Sequence, residues 1–244
     1  LAHDPRTPRA WLLAEGDGRI EGLCYLSDGG IVLPALSSEG ALDALAEVAR
    51  RNPAAVRVIV GERAVVASLW RRLERAGARA RICRDQLAYA VERGQPPDSV
   101  PSLPLSIATF AELEQVVAAS ADMAREEAGD DPERRNPMLF RARIRERLER
   151  QRDFVHLHER RLLFKANVSA LSAVGGMIEG IYTAPEARRR GLGLTGTAAV
   201  TRWVLERSPR ASLLVNEDNE PAKRLYRRLG YRQVLESRTI FLAP

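Results

Sequence analysis

Apolar residues at Phe140, Ile144 and Leu148 fall one helical turn apart, so they predict a helix with a single buried stripe. Asn136 followed by Pro137 supplies its start, an N-cap residue and then proline at the first helical position. Ahead of it the pattern predicts a strand in "PLSIATF" and a helix from about Ala111 to Ala128. Behind it come three strand-like runs, "DFVHLHE", "RLLFKANVSAL" and "GGMIEGIYT". A helix from about Gly193 to Arg207, the strand "ASLLVN", a short helix in "EPAKRLYRRLG" and a closing strand region "YRQVLESRTIFLA" complete the order. Strands and helices are mixed, which predicts an α/β (α+β) fold.

The first part of the chain repeats the end of this pattern. "VRVIVGERAVVASLWRRLERAGARARICRDQLAYAV" lies over "ASLLVNEDNEPAKRLYRRLGYRQVLESRTIFLA", with Leu69 to Leu73 (Leu-Trp-Arg-Arg-Leu) matching Leu225 to Leu229 (Leu-Tyr-Arg-Arg-Leu). Upstream, "GGIVLPAL" corresponds to "EGIYTAP", and each precedes a helix that ends near a proline, Pro53 or Pro209. The chain therefore reads as two copies of one unit, the first shortened. Between them "ERGQPPDSVPSLP" carries Pro96, Pro97, Pro101 and Pro104, a stiff connector. The expected division is residues 1–93, a linker at 94–104, and 105–244.

Composition narrows the class. Hydrophobic residues make up 45% and charged residues 29%, ordinary for a soluble globular protein. No apolar run approaches the ~20 residues of a membrane helix, and "LAHDPRTPRAW" lacks the apolar core of a secretory signal, so a cytoplasmic protein without a membrane partner is expected. The first residue is Leu, so the natural start is expected to lie upstream. Cys24 and Cys83 stand far apart and predict reduced thiols. The net charge of +6 is carried by arginines interleaved with Glu and Asp, lysine occurring only at Lys165 and Lys223, and aromatic residues are only 5%. That predicts a salt-bridged surface and no nucleic-acid partner.

The stretch "EARRRGLGLTG", Glu186 to Gly196, holds the candidate chemistry. Its last six residues spell G-x-G-x-x-G, and Glu217 stands where a dinucleotide site wants an acid. Yet "APEARRR" separates Gly191 from the preceding strand, and too little chain follows Gly196 to complete a doubly wound sheet. Read as R-x-x-G-x-G, Arg188 to Gly193, the loop makes another sense. Small residues let backbone N–H groups approach a pyrophosphate at a helix start, and Arg188, Arg189 and Arg190 add the charge that a coenzyme with a further phosphate, such as coenzyme A, requires.

Two adjacent motifs strengthen that choice. "EGIYTAPEARRRGLG" and "LLVNEDNEPAKRLYRRLGY", with Asn216, Asn219, Ala222, Leu225, Tyr226, Gly230 and Tyr231 in place, closely resemble the signatures of the GCN5-related N-acetyltransferase superfamily. The resemblance covers about Leu103 to Pro244, and the first half resembles a degenerate copy found ahead of such modules in some bacterial proteins. It implies tandem acyl-CoA N-acyltransferase folds, each a mixed central sheet flanked by helices, and transfer of acetyl from acetyl-CoA, a co-substrate, to an amine by direct attack in a ternary complex. A homodimer is compatible with it.

The resemblance also implies roles. The strand "MIEGIYT" presents a backbone amide, Ile181 or Tyr182, to the thioester carbonyl, with Gly180 easing a bulge and Thr183 beside the cofactor. Arg188, Arg189, Arg190, Gly191, Leu192, Gly193 and Leu194 hold the phosphates; Asn216 and Asn219 lie along the pantetheine arm. Tyr226 borders the cofactor and is the expected general acid, Glu179 the expected base, and Glu126 and Glu127, with Asp130 and Asp131, border the acceptor. His156 and His158 share a strand face but lack a third ligand, so no metal is expected. Two other readings stay open: a non-catalytic acyl-CoA-binding or sensing protein, and a dinucleotide oxidoreductase. In the first half "PALSSEGALDAL" has one glycine, Gly40, and no arginine, Trp70 stands for Tyr226 and Gly61 for Asn216, so no cofactor is expected there.

Overall fold

The computed structural model describes residues 9–16, 18–27, 29–36, 38–51, 56–95, 99–129 and 131–243. The elements in chain order are β1 (Arg9–Gly16), β2 (Arg19–Ser27), β3 (Ile31–Leu36), α1 (Glu39–Arg51), β4 (Val58–Glu62), α2 (Arg63–Arg75) and β5 (Ala80–Glu92). Then follow β6 (Ser106–Ile107), α3 (Leu113–Ala128), α4 (Pro132–Arg135), α5 (Pro137–Glu149), β7 (Asp153–His158), β8 (Arg161–Leu171) and β9 (Gly176–Thr183). The chain ends with α6 (Leu192–Arg207), β10 (Arg210–Asn216), α7 (Glu220–Arg228) and β11 (Arg232–Leu242). The α/β order expected from the sequence holds through the second half, with one local difference. The strand in "PLSIATF" shrinks to Ser106–Ile107 because Thr109 and Glu112 form a capping box that starts a 3-10 turn at Phe110. The short α4 stands between α3 and α5, a helical turn that Asp131 ahead of Pro132 caps by accepting from the Arg134 amide.

The fold divides into two compact units, neither continuous in sequence. One contains Tyr89–Leu213 and Glu220–Arg232; the other contains the chain up to Ala88, Leu214–Asn219 and the residues from Gln233 on.

In the latter unit the strand order is β1-β2-β3-β4-β11-β5. The first three strands are antiparallel neighbours, β3 and β4 run parallel, and β11 pairs antiparallel with β4 from Ser237↔Glu62 to Phe241↔Val58. Alternation on these strands sends Cys24, Val32, Ile59 and Ile240 to one face, where they meet Leu42 and Leu45 of α1 and Val66, Leu69 and Leu73 of α2. Burial in this core pushes the Cys24 thiol up to about 11, so it is an inert packing group. Ser38 closes the start of α1: its hydroxyl accepts from the Ala41 amide at 3.1 Å and donates to Glu21 at 2.6 Å.

In the former unit the order is β5-β10-β9-β8-β7-β6. Successive residues of β7 serve opposite faces: Phe154 meets Trp203 of α6 edge to face at 5.0 Å, while Val155 joins Val116 and Val117 of α3 and Ile144 and Leu148 of α5. The stripe read from Phe140, Ile144 and Leu148 is thus the inner face of α5, and Asn136 caps it by accepting from the Leu139 amide at 3.0 Å. Among the described residues no helix is long and apolar enough to cross a membrane.

Candidate functional site

The site begins where two parallel strands part. The ladder between β9 and β10 contains Gly176↔Ala211 and Met177↔Ser212 and goes no farther, so from Ile178 on β9 is paired only with β8. On that side Lys165 faces Tyr182 and Asn167 faces Glu179, which leaves Gly180 and Ile181 opposite the single residue Ala166. This is a β-bulge, and Gly180 takes the left-handed φ of +61° that such a bulge needs at its first residue. A side chain there would also run into Asn167 Oδ1. Beyond the bulge the amide directions are fixed by alternation. Ala184 N–H donates to Leu163 O on β8 at 3.0 Å, so the Tyr182 amide faces β8 as well and the Ile181 amide faces the opposite, open edge.

A buried polar layer underlies the bulge. Lys165 is 2% exposed, and its Nζ donates to Gly180 O at 3.0 Å. Desolvation, reinforced by Arg147 and opposed by Asp153 and Glu127, brings its ammonium down to about 7. Asn167 and Asp153 are cross-strand partners and also buried, and Arg147 of α5 donates to both Asp153 oxygens at 2.8 and 3.0 Å. Glu179 remains open to solvent but is crowded enough that desolvation raises its carboxyl, against a hydrogen bond with Ser169 and the charge of Arg147. A carboxylate raised this way and still reached by solvent is a better proton acceptor than an ordinary one. Sequence reasoning passed over Lys165, Asn167 and Asp153; the available signal was a lysine inside the apolar run of "RLLFKANVSAL", one of two lysines in the chain.

The glycine loop leads from β9 into α6. Arg188, although exposed, is engaged: its Nη2 holds Glu126 of α3 at 2.7 and 2.8 Å, its Nε donates to Thr183 O at 3.0 Å, and its guanidinium lies 5.8 Å from the Tyr182 ring centre. Glu126 is correspondingly engaged. The Tyr182 hydroxyl donates to Asp122 at 3.3 Å, and its pKa is pushed up to about 12 by burial and then by Asp122. Arg189 and Arg190 are exposed, and Arg189 has a left-handed φ of 59°. Gly191, also left-handed at φ 86°, is the N-cap of α6 and offers it no side-chain cap. The first helical bond runs from Thr195 N to Gly191 O, so the amides of Leu192, Gly193 and Leu194 precede the helical ladder.

A Cβ on Gly193 would press within 3.3 Å of Thr183 Oγ1 and 3.4 Å of Leu225, whereas one on Gly191 would meet nothing. Gly196 has a different task. A Cβ there would lie 2.6 Å from the Phe164 ring, so this glycine lets α6 lie close on β8 and the G-x-G-x-x-G match is partly a packing motif.

Tyr226 on α7 is 7% exposed, its ring centre 6.2 Å from Tyr89 and 6.0 Å from Tyr231, whose hydroxyl shares a 2.8 Å hydrogen bond with Thr201. Burial first, and then the charge of Glu127, hold its phenol well above the usual range. Glu127 thus acts electrostatically on both Tyr226 and Lys165. Within one unit, then, Glu126, Glu127, Glu179, the loop and Tyr226 accompany the bulge. Asn216 and Asn219 fall in the other unit. There Gln86 donates to Asn216 Oδ1 at 3.3 Å, and the Asn219 amide donates to Asn216 O at 3.0 Å to close a turn. Asp131 is occupied as the cap of α4, and Asp130 lies outside the described residues. His156 Nδ1 lies 2.9 Å from Pro104 O, and among the described residues no group of three or more His, Cys, Asp or Glu could hold a metal ion.

Comparison with known proteins places this geometry. Residues 161–240 match the FR47-like protein family, and residues 9–116 match a domain of unknown function (DUF4081). No curated protein matches the chain. Among solved structures, a Drosophila protein is similar with a TM-score of 0.72 at 13% identity, over 97% of this chain and 80% of its own. A GCN5-related N-acetyltransferase from Kribbella flavida has a TM-score of 0.60 at 18% identity, over 96% and 89%. A tandem protein of the same superfamily from the clavulanic acid biosynthesis pathway has a TM-score of 0.59 at 16% identity, over 98% and 83%. The chain thus has the fold of these acetyltransferases over nearly its whole length, and its segment from β8 to β11 matches the FR47-like family.

Proposed function

We propose that the protein is an N-acetyltransferase that moves acetyl from acetyl-CoA to an amine by direct attack in a ternary complex. The observation that carries this is the parting of β9 from β10 at Met177 beside the uncapped start of α6. An open strand edge and a set of unbonded helix amides are what a thioester arm and a pyrophosphate require. The residues fit that group: Gly191 leaves room above the helix start, and Arg189 and Arg190 stand exposed beside it. Arg188, clasped by Glu126, shapes the loop and anchors it to α3.

In this reading the cofactor supplies the activated acyl group. Glu179 accepts a proton from the incoming ammonium, the Ile181 amide donates to the acyl oxygen, and Tyr226 returns a proton to the departing sulfur as the new C–N bond replaces C–S. Glu127 adds negative potential that favours a cationic acceptor. We read the first half as a second, degenerate copy of the fold, and tandem organisation accords with the similarity to the clavulanic acid pathway protein. The test is a panel of amines assayed for free thiol release from acetyl-CoA, alongside calorimetry. Release with at least one amine supports transfer. Tight acetyl-CoA binding without release from any amine would instead indicate an acyl-CoA sensor, and binding of NAD(H) alone an oxidoreductase.

A further inference from the structure

Lys165 makes a contact that the acid and base roles above leave unused. Its amine donates to Gly180 O at 3.0 Å, from a position 2% exposed, directly at the bulge. A trans peptide points its C=O and the following N–H in opposite directions, and among the described residues no peptide bond is cis. Holding the Gly180 carbonyl therefore aims the Ile181 N–H away from Lys165 and from β8. Alternation from Ala184, whose amide bonds Leu163 O, gives the same direction independently.

Gly180 cannot hold this plane unaided. With φ +61° and no side chain it is the most permissive residue of the strand, and the ladder to β10 that would otherwise fix the edge has already ended. A donor bonded to a peptide carbonyl also polarises the N–H of the same peptide, making it a stronger donor. Asn167 Oδ1 and Lys165 Nζ are the atoms nearest to where a Gly180 Cβ would stand, so the bulge is boxed by β8.

We infer that Lys165 is a positioning residue for acyl transfer: by gripping the Gly180 carbonyl it fixes and strengthens the Ile181 N–H as the donor to the acyl oxygen. This rests on the acetyltransferase reading. The groups around Lys165 are Arg147 from α5, Asp153 from β7, Glu127 from α3, and its cross-strand partner Tyr182 on β9. Arg147 disfavours its charge and Asp153 and Glu127 favour it.

The experiment compares wild type with Lys165→Met, which keeps the stem and removes the donor. Calorimetry with coenzyme A and acetyl-CoA, the infrared carbonyl band of ¹³C-labelled acetyl-CoA bound to each protein, and steady-state rates are measured. Expected are coenzyme A affinity within about twofold, a carbonyl band moved toward that of free acetyl-CoA, and kcat lowered about tenfold or more with KM little altered. A folded Lys165→Met protein with the wild-type band and kcat overturns the inference. If Lys165→Met does not fold, Lys165→Gln, which keeps a polar head on a side chain too short to reach Gly180 O, takes its place with the same readouts. A band moved toward that of free acetyl-CoA supports the role, and the wild-type band and kcat overturn it. A wild-type protein that fails to bind acetyl-CoA overturns both the acetyltransferase reading and this one, an outcome distinct from failure in the variant alone.

Discussion

A proton donor that must act at neutral pH needs to keep its proton until the moment of transfer. For Tyr226, the proposed acid, burial and the charge of Glu127 hold the phenol well above the ordinary range, so its hydroxyl keeps its proton at neutral pH. Tyr226→Phe preserves the ring contacts with Tyr89 and Tyr231 and deletes only the hydroxyl. Turnover with a good acceptor is expected to fall by about 10²-fold while coenzyme A affinity stays within about twofold, read from steady-state rates and calorimetry. Equal rates would make the residue a packing anchor. At this scale the sequence showed which residue types stand where, since Gly180, Gly191 and Tyr226 are local signals. It did not show that Arg188 spends its charge on Glu126, because that partner lies on another element and is chosen only when α3 packs. Lys165 stands in an apolar run, which hints at burial, but its partner, the Gly180 carbonyl, lies on another strand and is chosen only when β8 pairs with β9.

Elements were the most legible level, because amphipathic period and capping residues are written in short windows. The stripe on α5, with its Asn136 cap, and the run of β7, β8, β9, α6, β10 and α7 follow the hydrophobic pattern closely. Packing between elements was less so. Gly196 looked like the third glycine of a nucleotide loop, yet its neighbour is the Phe164 ring. A methyl group at this position has no free volume, so Gly196→Ala is expected to destabilise the fold by about 1–3 kcal/mol, the usual cost of overpacking, measured by denaturant unfolding. Phe164→Leu combined with Gly196→Ala should recover part of that loss by making room. A double variant no more stable than Gly196→Ala would show that the strain lies elsewhere.

For the whole molecule, the question is whether both halves use a helix start in the same way. The start of α6 is left open by Gly191, whereas α1 begins at Ser38, whose hydroxyl already satisfies the Ala41 amide and binds Glu21. Glu39 adds a negative charge to that first turn, which repels phosphate. One acetyl-CoA per chain is therefore expected in calorimetry, and two saturable sites, one of them surviving Gly193→Val, would refute the degenerate reading of the first half. The reading of a repeat rests on the matching "LWRRL" and "LYRRL" segments. Which neighbour each strand takes was not, since strand pairing is a long-range choice and local periodicity records only which faces are apolar. The pairing of β11 with β4 is such a choice, and it governs the order in which the protein can be made. Val58–Glu62 leaves the ribosome some 180 residues before the strand that completes its ladder, and Ile240 is the last member of the core that contains Cys24 and Ile59. At the usual 5–20 residues per second the early half waits roughly ten to forty seconds for its final strand. During that interval the free edge of β4 is open to pairing with any other nascent chain, so the first half, synthesised first, is the last to be finished.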